Sequence, residues 1–348
     1  ASGIYSIAMG TFTEAIGSGT TAMGSKTIAS GTGSTAMGRL TTASGWNSTA
    51  MGEYTSATGD NSTVMGYGST ASGDNSFAMG YNSTASGDNS FAMGYNTIAS
   101  GGSSLALGKG TIASYSYSIA MGGYTKSSGY MSTSIGGLTT ASGRYSTAGG
   151  YNTTARSCNS FVIGRYNDTL TTSSLTTWVE TDPLFIIGNG TADNSRHNTV
   201  MVKKNGEVYL TDVYDDVVGS TNRDLFIDNT GKIGYVSSSL RNKKEINTLE
   251  DISWIYRLRP VNFVYKKDIN EKKQYGLIAE EVEEVNPLLV SYSDDGEVET
   301  VLYNKLVTPI LKALQKHEKT IEEQQKMIES QEQKINELTD LVNKLLQE

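Results

Sequence analysis

Through the first 167 residues, polar and small or apolar side chains follow a seven-residue rhythm in which each block closes on glycine. Glycine stands at Gly10, Gly17, Gly24, Gly31, Gly38 and Gly45 and onward to Gly108, with lapses at Tyr115 and Ser157 before Gly164. The full unit is fourteen residues, because the position before glycine alternates. Met9, Met23, Met37, Met51, Met65, Met79 and Met93 precede one set, and Ser30, Ser44, Ser72, Ser86 and Ser100 precede the other. A repeat of this kind sets the architecture before any local propensity is weighed.

Glycine costs about 1 kcal/mol per residue in a helix relative to Ala, and Ser, Thr, Asn and Tyr fill the gaps, so a coiled coil is excluded here. Collagen needs glycine at every third position and abundant proline, whereas the first proline of this chain is Pro183. The pattern predicts a β-solenoid of about twelve coils. Its short strands would be Ser76-Phe77-Ala78-Met79 and Ser83-Thr84-Ala85-Ser86, each ended by a glycine that lets the chain turn. Alternate strand residues face opposite ways, so Phe77 and Met79 share one face while Ala78 and Gly80 share the other. One row fills the lumen, and periodicity does not say which. The other is left as more apolar surface than a monomer normally exposes, which calls for neighbouring copies of the chain.

Motifs such as Asn75-Ser76-Phe77-Ala78-Met79-Gly80 and Ser83-Thr84-Ala85-Ser86-Gly87 resemble the head repeats of trimeric autotransporter adhesins. The resemblance covers residues 1–167 and implies a left-handed parallel β-roll assembled as a homotrimer, as found on cell surfaces and on phage and viral fibres.

The tyrosines and asparagines Tyr67, Tyr81, Asn82, Tyr95 and Asn96 and the ladder Asp60, Asp74, Asp88 recur one coil apart. Such rows could hold a glycan or, at the aspartates, a cation. The preferred reading is that they are turn residues using the left-handed conformation and side-chain-to-backbone bonds. Residues 168–236 leave the repeat and are expected to form a β-rich neck. Thr199-Val200-Met201-Val202, Asn205-Gly206 and Val208-Tyr209-Leu210 read as a hairpin. Asp224-Leu225-Phe226-Ile227 and Lys232-Ile233-Gly234-Tyr235-Val236 flank Asn229-Thr230-Gly231 in the same way. The stretch has too little apolar content for its own core, so an intertwined trimeric neck is expected.

Charge is sparse to about residue 170 and dense after 240, with 28 Lys and Arg against 36 Asp and Glu and a net charge of −8. That balance argues against nucleic acid, which binds basic patches. No stretch approaches the ~20 apolar residues of a membrane span. Ala1 opens no signal-peptide pattern, from which no compartment follows. The single cysteine, Cys158, can form no intrachain disulfide and reads as a small buried residue. No cofactor or metal constellation is evident.

Catalytic chemistry is suggested at one place, Ser237-Ser238-Ser239-Leu240-Arg241-Asn242-Lys243-Lys244-Glu245-Ile246. A serine hydroxyl needs a base to take its proton, and a desolvated neutral lysine can serve. Ser and Lys are common enough that these residues alone read as a solvated loop. Downstream stand Leu258-Arg259-Pro260-Val261-Asn262-Phe263-Val264-Tyr265, Tyr275-Gly276-Leu277-Ile278-Ala279-Glu280-Glu281-Val282 and Val301-Leu302-Tyr303. Together they resemble the intramolecular chaperone of endosialidase-type phage tailspikes and tail fibres, the S74 peptidase family, over residues 237–348. The resemblance implies a domain that drives trimerisation and then cuts itself free with a Ser-Lys dyad. On the motif Ser-Asp-x-Arg-x-Lys-x-x-Ile, Arg241, Lys243 and Ile246 match, which makes Ser238 the nucleophile, Lys243 the base and Ser237–Ser238 the scissile bond. The usual Asp is Ser239 here, so adjacent serines could compete.

Beyond Tyr303 a heptad runs with Val307, Leu314, Ile321, Ile328, Ile335 and Val342 at position a. Position d holds Ile310, His317, Gln324, Gln331, Leu338 and Leu345. β-Branched a residues without a full Leu d layer predict a parallel trimeric coiled coil, with His317 as a polar layer in its seam. The expected order is a β-roll head at 1–167, a neck at 168–236, an α+β chaperone and peptidase at 237–305 and a coiled coil at 306–348. The expected function is a homotrimeric fibre or adhesin, on a virion or a bacterial surface, with single-turnover serine endopeptidase activity on itself. A host receptor or glycan is its external partner. A structural adhesin that trimerises without cutting is the alternative, and a hydrolase of external glycans is disfavoured for want of paired carboxylates.

Overall fold

The computed structural model describes residues 1–213, 225–227, 232–293 and 295–346. It comprises two compact units, Ala1–Thr221 and Asn222–Glu348. The first is a parallel β-solenoid. Five-residue strands such as Phe77–Tyr81 and two-residue strands such as Thr84–Ala85 alternate along the chain and stack into separate sheets. The short strands form an 11-stranded sheet, which sets the solenoid at about eleven turns, close to the twelve coils expected. Register is strict at fourteen residues, pairing Phe77 with Phe91, Ala78 with Ala92, Met79 with Met93, Gly80 with Gly94 and Tyr81 with Tyr95.

The question of which row fills the lumen is answered by burial. The alanines Ala22, Ala36, Ala50, Ala78, Ala92 and Ala106 and their short-strand counterparts Ala29, Ala43, Ala71, Ala85 and Ala99 are completely buried and form one continuous core. Ser and Thr rows at the corners, such as Ser76 and Ser83, are buried with them. Only small side chains fit between two sheets this close. Near one end alanine gives way to Ser127 and Ser134, and their hydroxyls pair with those of Ser132 and Thr139, 2.7 Å apart in each case. The polar substitution is thereby satisfied inside the core. Cys158 is buried as expected, its Sγ 3.0 Å from Asn159 Oδ1.

The Met-type glycines do not end strands as the sequence suggested. Gly80 lies inside the strand Phe77–Tyr81 at φ +120°, and a Cβ there would stand 2.0 Å from the carbonyl oxygen of Gly94. The turns fall instead at residues in the left-handed region, including Asn75, Asn82, Asn89 and Asn96 with φ between 49° and 57°.

The preferred turn reading holds for the asparagines and aspartates, whereas Tyr67, Tyr81 and Tyr95 are the last residues of long strands and not turn residues. Asp60 Oδ1 accepts the backbone N–H of Trp46 at 2.8 Å, Asp74 Oδ1 that of Asp60 at 2.9 Å, and Asp88 Oδ1 that of Asp74 at 3.1 Å. Tyr67, Tyr81 and Tyr95 stack with ring centroids 5.1 and 5.0 Å apart.

The repeat closes at Asn167, which is fully buried. Its side-chain Oδ1 accepts from Thr154 N at 2.7 Å and its Nδ2 donates to Thr154 O at 3.1 Å, so one amide replaces a further strand of the short sheet. The long-strand sheet is continued by Pro183–Asn189, which pairs in parallel with Phe161–Arg165. Asn198–Lys203 and Val208–Leu210 follow antiparallel, which is the hairpin read from Asn205-Gly206. Ile186 packs with Val162, Ala148 and Ala155, so this segment shares the solenoid's core.

In the second unit Phe226–Ile227 pairs antiparallel with Ile233–Gly234, as expected, while Asp224 and the turn Asn229-Thr230-Gly231 lie outside the described residues. Two hairpins follow, Val261–Phe263 with Gln274–Gly276 and Val290–Tyr292 with Val298–Val301. Helix α1 spans Ala279–Val285 and helix α2 spans Tyr303–Leu345. Among the described residues no helix is long and apolar enough to cross a membrane.

The row of glycine-to-glycine contacts predicts a sharp contrast between two similar substitutions. Gly80→Ala forces a Cβ against backbone at a φ that L residues rarely adopt, which should cost more than about 3 kcal/mol. Gly123→Ala meets nothing within 4 Å and lacks that φ, so it should stay within about 0.5 kcal/mol of wild type. Thermal unfolding of the two variants checks this, and equal melting temperatures would contradict it.

Candidate functional site

The segment Ser237 to Lys243 turns through a short 3-10 helix, Leu240–Asn242, whose closure is made by Asn242 N to Ser239 O at 3.0 Å and Lys243 N to Leu240 O at 3.1 Å. Leu240 itself is 74% exposed, so local backbone bonds and not burial shape the turn. Ser237 is partly buried, and its Oγ accepts from Asn242 Nδ2 at 2.8 Å and from Ser239 N at 3.3 Å. Ser238 and Lys243 are exposed on either side of the turn, and among the described residues no hydrogen bond joins them. Ser237, Ser238 and Arg241 line a cavity of about 500 Å³ with Phe226, Tyr235, Val236 and Asn304. A single chain thus brings Ser238 and Lys243 to one turn and sets Ser237 and Ser238 in a recess of mixed polar and apolar lining. It does not assemble a nucleophile–base contact.

The sequence reading missed Asn242, which no motif position singles out. Its role follows from spacing only once the turn is known: five residues on from Ser237, it returns to the hydroxyl of the residue before Ser238.

The downstream motifs meet in one small core. Val282, Leu289, Val290, Val301 and Leu306 are buried together, with Trp254, Leu258, Leu277 and Ala279 against them. Arg259 and Glu281, drawn from two separate motifs, form a two-point ion pair through Nε to Oε2 at 3.0 Å and a second contact from the terminal guanidinium nitrogen to Oε1. That pairing holds the Glu281 carboxyl below its ordinary range and the Arg259 guanidinium above its own. Tyr303, at the start of α2, accepts the backbone N–H of Leu277 on its hydroxyl at 2.8 Å. Gly276 makes room for it, since a Cβ there would lie 2.6 Å from the Tyr303 oxygen.

His317, expected in a helical seam, lies within the single chain 2.7 Å from the Tyr256 hydroxyl through Nε2. The heptad residues Leu314, Ile321, Ile328, Ile335, Leu338 and Val342 are all about half or more exposed. Among the described residues no cluster of His, Cys, Asp and Glu is arranged to hold a metal ion.

Comparison with known families agrees with this anatomy. The YadA head domain repeat matches seven segments, at residues 1–27, 29–54, 43–69, 57–83, 71–97, 99–125 and 127–153. The Peptidase S74 family, described as a chaperone of endosialidase, matches residues 238–291 and so begins on Ser238. The chain is therefore a composite of YadA-type head repeats and an endosialidase-type chaperone domain. No curated protein matches it.

Loss of the Tyr303 hydroxyl should release the Leu277 amide. A net hydrogen bond of about 1 kcal/mol corresponds to roughly fivefold faster amide exchange, so Tyr303→Phe should accelerate hydrogen exchange at Leu277 by that order. Tyr292→Phe, whose hydroxyl donates instead to Glu283 at 2.9 Å, should leave Leu277 unchanged.

Proposed function

We propose that this chain is a subunit of a homotrimeric fibre or adhesin, extracellular or on a virion, whose C-terminal domain directs assembly and then releases itself. The observation that carries the reading is the joining of YadA-type head repeats to an endosialidase-type chaperone that begins on Ser238. The unpaired apolar surfaces of the single chain support it. Met9, Met23, Met93 and Phe161 stand exposed on the outer face of the long strands, and the apolar seam of α2 faces solvent along its length. β-Branched residues at consecutive a positions favour more than two strands. Head, neck, chaperone and coiled coil are assigned to 1–167, 168–236, 237–305 and 306–348.

In the releasing step Ser238 Oγ attacks the carbonyl carbon of Ser237, Lys243 takes the hydroxyl proton, and the peptide nitrogen leaves as the protonated amine of Ser238. Water then hydrolyses the Ser237 ester. Lys243 can act only as the neutral amine, which desolvation favours, and it is exposed in the single chain. Docking of neighbouring subunits is what covers it, so cutting follows trimerisation. That order suits a long parallel solenoid, whose non-local pairing is slow and aggregation-prone. A C-terminal domain that associates first raises the local concentration of the three chains before the link is lost. Ser239 in place of the family's Asp favours the second reading, in which the domain trimerises without cutting.

Denaturing mass spectrometry of freshly expressed protein should show a C-terminal fragment starting at Ser238, absent from Ser238→Ala and Lys243→Ala. A fragment that persists in Ser238→Ala assigns the nucleophile elsewhere, and none in wild type leaves the non-cutting reading.

Light scattering should give three times the chain mass. A monomer or dimer at micromolar concentration would overturn the trimer. Replacing Ile321 and Ile328 by Asp puts like charges in the seam without touching Ser238 and should yield misassembled, uncut chains. Normal cutting by monomers of that variant would separate proteolysis from assembly.

A further inference from the structure

The turn edge that carries the aspartate ladder changes character near the end of the solenoid. At fourteen-residue steps Asp60, Asp74 and Asp88 are followed by Gly102, Ser116, Tyr130 and Arg144. The adjoining left-handed position runs from Asn61, Asn75 and Asn89 through Ser103 to Tyr117, Met131 and Tyr145, at φ between 53° and 59°. Asn tolerates that conformation with local hydrogen bonds, whereas a bulky residue there costs on the order of 1–2 kcal/mol.

These residues build a four-tyrosine cluster, larger than the Arg39, Tyr54 and Tyr67 group of the earlier coils. Tyr130 stands edge-on to Tyr115, Tyr117 and Tyr145 with centroids 6.1, 5.8 and 5.8 Å away. The Arg144 guanidinium lies 5.3 Å over Tyr130 and 4.9 Å over Tyr145. Residues 166–182, which contain no strand or helix, fold back over this edge. They are anchored by Arg144 N to Leu175 O at 2.7 Å and Cys158 N to Ser174 O at 2.9 Å. Structureless segments of such length in a compact fold are commonly binding elements. Between loop and turns lies a groove of about 490 Å³ walled by Tyr115, Tyr130, Arg144, Ser128, Ser142 and Thr176. That is the size of a small-ligand site.

Arg144 donates to the Tyr145 hydroxyl at 3.0 Å, and among the described residues no carboxylate pairs with it. It is an exposed cation on an edge that carries aspartates in earlier coils, in a chain of net charge −8. A planar guanidinium offers two parallel donors to a carboxylate. The tyrosine rings present apolar surfaces and hydroxyls together, as amphipathic ligands require, and Ser128, Ser142 and Thr176 add hydroxyls. We propose that this groove binds a saccharide carrying a carboxylate, its ring against Tyr115 and Tyr130 and its acid on Arg144. The proposal deepens the adhesin reading and rests on it.

Full-length protein, its mass checked by light scattering, is titrated with 3′-sialyllactose, with a hyaluronan tetrasaccharide, and with lactose as the neutral control. At least one acidic probe should bind, with lactose roughly tenfold weaker or more, the value of a lost charge-assisted pair. Arg144→Gln and Tyr130→Leu should each weaken the acidic probe by a similar factor, Arg144→Lys should restore part of it, and Tyr81→Leu, in the remote ladder, should change nothing. The site is overturned if neither acidic probe binds, if lactose binds equally, or if Arg144→Gln stays within about twofold of wild type. A trimer that cuts itself but binds neither probe sinks the saccharide site and leaves the fibre intact. A monomer that binds through Arg144 does the reverse.

Discussion

The approach of each solenoid coil to the next, one strand spacing of about 4.8 Å, is the constraint on which the rest of the first unit depends. Coils repeated at that distance place every residue directly beneath its counterpart fourteen positions on. Where the backbone itself must cross, no side chain fits, and Gly80 against Gly94 shows how little room there is. Where two sheets face each other across the lumen, alanine, serine and threonine predominate, and Val64 is the largest side chain in the core that runs from Ala22 to Ala106. The same constraint leaves the larger apolar residues, Phe77, Met79 and their like, on the outside.

Strict register also turns any repeated residue into a ladder. The Tyr67, Tyr81 and Tyr95 stack and the Asp60, Asp74 and Asp88 chain of backbone contacts are consequences of repetition, and both spend their chemistry within the coil edge. In a repeat protein the informative positions are therefore those where a ladder is broken. The breaks at Tyr130 and Arg144, and the polar lumen at Ser127 and Ser134, fall in neighbouring coils beside the loop that leaves the solenoid. The end itself is closed by Asn167 and by the strand Pro183–Asn189, which shield sheet edges that would otherwise pair with other chains.

The second unit works by different means. Its motifs are short because its core is small. Leu258, Leu277, Val282 and Val301, scattered over three motifs, are the residues that pack together, and Arg259 with Glu281 and Tyr303 with Leu277 tie the pieces by polar contacts. Helix α2 contributes Leu306 to that core and then runs on with its apolar residues exposed.

The sequence by itself determined the solenoid, its period and the hairpin at Asn205-Gly206, because each rests on local backbone geometry repeated or signalled within a few residues. It also located Ser238 and Lys243 and the motifs around them, since these lie within one turn or recur as recognisable strings. Tertiary structure alone decided that alanine and not methionine fills the lumen, because alternation assigns two faces without saying which is enclosed. It alone placed Gly80 within a strand, where the reason for glycine is the next coil's carbonyl and not a turn. It joined Arg259 to Glu281, Tyr303 to Leu277 and His317 to Tyr256, contacts between residues 22 or more positions apart that no periodicity encodes. The groove at Tyr130 and Arg144 belongs to the same class, because a loop thirty residues further along the chain forms one of its walls.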